Sequence, residues 1–119
     1  MTDPALPPDD PIDVERLADC ASNDLAQLRE LLQVYFETTA EEIENLRETI
    51  ARGDAATTDR IAHTCAGGSA TFGMKAIVPP LRQLEAQARA GKLDDAPALL
   101  KEIERQFGLL REIMRPYLN

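Results

Sequence analysis

Apolar residues recur along this chain in steps of three and four, the spacing that gathers side chains on one face of an α-helix. The clearest run is Leu25, Leu28, Leu32, Tyr35, Thr39, Ile43, Leu46 and Ile50. It predicts a long amphipathic helix from Asp24 to Arg52, with Asp24 as its cap after a break at Ser22-Asn23 and Gly53 as its stop. Ahead of it, Ile12, Val14 and Leu17 predict a short helix that Asp13 opens and that ends near Cys20. Asp54 caps a third pattern, Ala55 to Phe72, which Gly73 closes. Pro79 and Pro80 fit a helix only in its first turn, where amide hydrogens have no internal partner. The next helix therefore starts between Lys75 and Pro79 and runs to Ala90, burying Ile77, Leu81, Leu84 and Ala88 and stopping at Gly91. Ala96, Leu99, Ile103, Phe107, Leu110 and Met114 predict a last helix from Asp95 to Tyr117, with Pro97 near its start. No stretch alternates with the period of a strand.

Four amphipathic helices joined by short turns must bury their apolar faces against one another. Short connections make sequential helices antiparallel neighbours. The expected fold is all-α: an antiparallel up-down-up-down four-helix bundle with a short extra N-terminal helix lying across one end. Residues 1–11 hold Pro4, Pro7, Pro8 and Pro11 among three aspartates, and they are expected to form a disordered tail ahead of a single domain, 12–119.

Charge narrows the partners. The 119 residues carry 21 acidic and 13 basic side chains, for a net charge of −8. Such a surface repels phosphate backbones and anionic bilayers, so neither nucleic acid nor a membrane is an expected partner. There is no apolar run of membrane-spanning length and no signal peptide. Cys20 and Cys65 both fall at apolar helical positions, which makes no disulfide framework and fits a cytoplasmic location. A purely structural oligomer seamed along the heptad-like last helix is conceivable; the expectation is a monomer.

The single histidine, His63, is the candidate chemistry. At about 100° per residue, Ile61, Cys65 and Phe72 fall opposite it and form an apolar stripe. On its own side lie Ala56, Ala66, Gly67 and Ala70, with Asp59 and Arg60 a turn back. The imidazole thus faces away from the core, in a clearing of small residues that something large could reach. The Gly67-Gly68 pair costs about 1 kcal/mol per glycine inside a helix. Gly68 falls toward the buried side, where close helix packing would explain it, whereas Gly67 has no such reason. Zinc held by His63 and Cys65 is excluded, because they lie on opposite faces. A di-metal carboxylate bundle would need paired Glu-x-x-His motifs, which one histidine cannot supply. The stretch Glu41-Glu42-Ile43-Glu44 is a solvated face, and Tyr35 and Phe36 are expected to divide between core and surface.

The segment Ala62-His63-Thr64-Cys65-Ala66-Gly67-Gly68-Ser69-Ala70-Thr71-Phe72-Gly73 resembles the core motif of histidine-containing phosphotransfer (HPt) domains, with glycine four and ten residues after the histidine. Leu81-Arg82-Gln83-Leu84-Glu85 and Ala88-Arg89-Ala90-Gly91 resemble the helix and turn that follow, and the likeness spans residues 12 to 118. The resemblance implies a stand-alone phosphorelay intermediate of a bacterial-type two-component pathway. It would accept a phosphoryl group from a receiver-domain aspartate, or a kinase, and pass it to another response-regulator receiver. A hybrid sensor histidine kinase would stand upstream. The chain would be no enzyme in its own right, with no ATP site, metal site or cofactor; the receiver brings the Mg²⁺. By position His63 is the phosphoacceptor, and Gly67 leaves room for the phosphoryl group and the partner's loops. The family usually places a lysine three residues after the histidine, where this chain has Ala66. Arg60 or Arg89 would supply the missing cation, and Glu85 would bond the other ring nitrogen and fix its tautomer. The absent lysine also leaves an alternative, a phosphate-independent helical adaptor that binds and inhibits a receiver or kinase.

Overall fold

In the computed structural model, which describes residues 11–118, three aspartates start three helices. Asp13 accepts a hydrogen bond from the Arg16 amide at the head of α1 (Val14–Cys20). Asp24 accepts from Ala26 and Gln27 at the head of α2 (Leu25–Ala51), and Asp54 from Thr57 at the head of α3 (Ala55–Thr71). Each satisfies first-turn amides that have no intrahelical acceptor. A 3₁₀ turn over Lys75–Ile77, not foreseen as a separate element, leads into α4 (Val78–Arg89), whose first turn holds Pro79 and Pro80. The last helix, α5, spans Ala96–Leu118. Gly53, Gly73 and Gly91 follow α2, α3 and α4 with φ near +71°, +76° and +78°. That left-handed conformation suits glycine at a helix end. The reading of residues 1–11 as a tail lies, apart from Pro11, outside the described residues.

The four long helices form an antiparallel ring in which α2 packs on α3, α3 on α4, α4 on α5 and α5 back on α2. The interior is aliphatic: Leu32, Leu46, Met74, Ile77, Leu81, Leu84, Ile103 and Leu110 are all under 2% exposed. Burying each such side chain is worth roughly 1.5–3 kcal/mol, and this burial holds the ring together. Among the described residues, no helix is long and apolar enough to cross a membrane.

Tyr35 and Phe36 do not divide between core and surface; both are buried. The reason is that α2 has a neighbour on each side. Tyr35 turns toward α3, where its hydroxyl pairs with Ser69 Oγ at 2.8 Å and its ring meets Phe72 edge-on. Phe36 turns toward α5 and packs on Phe107, with the Arg111 guanidinium over both rings. A second buried pair, Thr49 and Thr58 at 2.8 Å, joins the other end of α2 to α3.

The short α1 is clamped to the end of α3 by backbone. The Asp13 amide donates to Gly73 carbonyl oxygen at 2.7 Å, and Ala76 donates to Pro11 at 3.0 Å. A Cβ on Gly73 would stand 2.6 Å from the Asp13 carbonyl oxygen, so both φ and the close approach demand glycine there. Gly67 and Gly68 differ. A Cβ on either would meet nothing within 4 Å. Contrary to its expected place toward the buried side, Gly68 is exposed. The helices α2 and α3 leave a cleft of about 230 Å³ at that point, and Gly68 lines it with Val34, Thr38, Glu42 and Thr64.

The glycines therefore separate by measurement. Gly73→Ala is expected to lower unfolding free energy by about 2–3 kcal/mol, through a strained φ and a backbone clash. Gly67→Ala is expected to raise it by up to about 1 kcal/mol, because alanine is the better helix former and has room. Chemical denaturation of the two variants checks both signs; equal losses would contradict the packing described.

Candidate functional site

Helix α3 gives one face to the core and one to water. Thr58, Ala62, Cys65, Ala66 and Ser69 are buried, while His63 presents a side chain 62% exposed. Ala56 and Ala70 are exposed around it, and Gly67 is half-buried with open space above. Cys65 is in the core, where burial pushes its thiol well above the ordinary range.

The other wall of the site is α4. Glu85 lies on its buried face with Leu81, Leu84 and Ala88. Its carboxylate receives three hydrogen bonds from side chains. Oε2 accepts from His63 Nδ1 at 2.7 Å and from the Arg89 guanidinium at 2.9 Å. Oε1 accepts from Arg82 at 2.9 Å. Arg89 also bonds both oxygens of Asp59, on α3, at 3.3 Å. The Arg82 guanidinium, and after it the bond from His63, hold the Glu85 carboxyl below its usual range. Glu85 is thus ionised near neutral pH and can only accept. The proton of a neutral His63 must then sit on Nδ1, which leaves the lone pair on Nε2, at the ring edge away from Glu85. Among the described residues no hydrogen bond is made to Nε2.

The structure brings His63, Glu85 and Arg89 together, with Gly67 a turn away. Arg60 is exposed and takes no part in the ion pairs around Glu85. Ala66 must be corrected. A helical wheel puts it in the open clearing beside His63, yet it is 0% exposed and belongs to the hydrophobic core. It lies only about 60° from His63 on the wheel, but on the side over which α4 closes. The sequence pattern did not reveal Arg82 or the partnership of Asp59 with Arg89. Arg82 had a local signal, its spacing of three from Glu85 on one helix. The Asp59–Arg89 pair had none, since it joins two helices.

Chemically, the site offers one nucleophilic nitrogen with its tautomer fixed, beside guanidinium cations, on an open surface. Among the described residues no set of three His, Cys, Asp or Glu side chains could hold a metal ion.

Comparison with known proteins points the same way. The crystal structure of histidine-containing phosphotransfer protein B (HptB) from Pseudomonas aeruginosa PAO1 superposes with a TM-score of 0.84 and 28% identity, covering 89% of this chain and 92% of that one. The virulence sensor protein BvgS of Bordetella pertussis is 27% identical over 107 residues, which is 88% of this chain but only 9% of BvgS. A family profile, the Hpt domain, matches residues 30–113, a stretch that holds His63, Glu85 and most of the bundle. On that match, over well more than half its length, the chain belongs to the Hpt domain family.

Proposed function

We propose that this chain is a phosphorelay carrier that accepts a phosphoryl group on His63 from a receiver-domain aspartate, or a kinase, and passes it to another receiver. One observation carries the reading: Nδ1 is committed to Glu85, so the lone pair stands on Nε2 of an exposed ring. In the forward step that lone pair attacks the phosphorus of an aspartyl phosphate. The N–P bond forms as the P–O bond breaks, and the departing electron pair goes to the aspartate carboxylate. The proton on Nδ1 stays in place, and the positive charge gained by the ring is met by Glu85. Nothing need be deprotonated at Nε2, so no general base is required there.

Positioning and charge neutralisation supply most of the catalysis in phosphoryl transfer. On this reading the partner receiver brings the Mg²⁺, and the carrier needs no cofactor and no ATP site. Arg89, beside the ring, and Arg60, exposed one turn before it, are the cations available to the phosphoryl group in place of the family's lysine. Gly67 keeps the approach open. Partners would be response-regulator receivers and a hybrid sensor histidine kinase in the cytoplasm.

Incubation with a phosphorylated receiver tests the proposal. Wild type is expected to take up an acid-labile, base-stable label, and His63→Gln none. Unlabelled wild type that still binds the receiver would favour the adaptor instead. Gly67→Gln is expected to keep its melting temperature within a few degrees, because the site faces open space, and to slow transfer at least tenfold by obstructing the partner. Normal transfer by this variant would show that the clearing is not the docking face.

A further inference from the structure

We infer that Arg82 is a positioning residue for the reaction proposed above: it anchors the second oxygen of Glu85 and so keeps the lone pair of His63 on Nε2. The inference rests on that proposed reaction for its purpose, but the geometry stands by itself. The two oxygens of Glu85 are loaded unequally. Oε2 serves both His63 Nδ1 and Arg89, and among the described residues Oε1 bonds only to Arg82. A carboxylate turns easily about its last torsion, which has broad minima. With Oε1 held by Arg82, the carboxylate plane is fixed and Oε2 stays aimed at Nδ1.

Arg89 cannot do this alone. It bonds the oxygen that His63 already uses, divides itself with Asp59 at 3.3 Å, and has a side chain 63% exposed. It shares Oε2 with the His63 ring, and an anionic group arriving on Nε2 would draw it away from Glu85. Arg82 is bound on the other side of the carboxylate, one turn back on the same helix. It stays when Arg89 leaves, so Glu85 keeps a counter-charge and a fixed orientation through the transfer. Second partners of this kind orient a histidine by holding the group that holds it.

His63 is the single histidine, so its two ring nitrogens give unambiguous signals in a ¹⁵N spectrum of the whole chain. Wild type at pH 8 is expected to show a bare Nε2 and a protonated Nδ1. Arg82→Gln is expected to move both signals toward a mixture of tautomers and to slow phosphoryl uptake by roughly tenfold, the ordinary worth of one charge-assisted hydrogen bond. Arg82→Lys, which restores a donor and a charge, is expected to recover most of both. A merely structural role would lower the melting temperature and leave the tautomer alone. Unchanged nitrogen signals in a folded Arg82→Gln would overturn the inference. Should Arg82→Gln not fold, the same signals unchanged in a folded Arg82→Met would do so. A wild type that shows the fixed tautomer but takes up no phosphoryl group would defeat the carrier reading and leave the role of Arg82 in the tautomer intact.

Discussion

The site depends on an ionised carboxylate kept nearly out of water between two helices. Burying an anion is costly unless hydrogen bonds and counter-charges replace its hydration. Glu85 meets that cost with three side-chain donors, two of them guanidiniums. All three must come to one point, and His63 and Glu85 reside on different helices. The register of α3 against α4 is therefore the constraint behind the chemistry. It is set locally: α3 ends at Gly73 in a left-handed turn, the 3₁₀ turn reverses the chain, and Pro79 and Pro80 fix the first turn of α4. The Asp13 clamp on Gly73 then pins that corner from outside.

Much of this was legible in the sequence because it is local. Caps, stops and periodicity lie within a few residues of what they control, so Asp13, Asp24 and Asp54 mark three helix starts and the glycines mark the ends. His63 could be read as exposed from its own helix, since the face opposite was apolar. The misses depend on where a second helix lies, although one cross-helix contact, the bond between His63 and Glu85, was among the expectations drawn from the family resemblance. Ala66 and Gly68 stand on α3 at the borders between its two faces, where the neighbouring helices decide what is covered. The first is sealed by α4 and the second is left open by α2. Tyr35 and Phe36 are consecutive, which on a lone helix puts one outward; a helix with two neighbours buries both. Arg82 escaped notice because a charged residue beside an acid on an exposed-looking helix is usually only a surface pair, worth little. Here the acid was the buried one.

The energetics of the glycines bear on the docking face. Natural helices rarely keep two adjacent interior glycines, because each costs about 1 kcal/mol against alanine. Packing cannot explain these two, since a Cβ at either touches nothing. Gly67 and Gly68 are thus a stability loss retained without a structural return inside this chain. They keep backbone bare on two sides of α3, beside His63 and above the α2–α3 cleft. A surface kept low at some cost in stability is what a closely approaching partner requires.

On the proposed carrier reading, the charge around His63 fits a division of the work between two proteins. Glu85 and Asp59 are balanced by Arg82 and Arg89, so the cluster about a neutral imidazole has no net charge. With Ala66 buried where the family usually has lysine, α3 adds no cation of its own at that position. An arriving phosphoryl group could borrow Arg89 only by breaking the Asp59 and Glu85 pairs, so the net gain from that residue would be small, which leaves exposed Arg60 as the cation outside this cluster. A carrier built this way neither traps the group nor needs to activate it. Its own contribution reduces to one lone pair, aimed outward and kept there by Glu85.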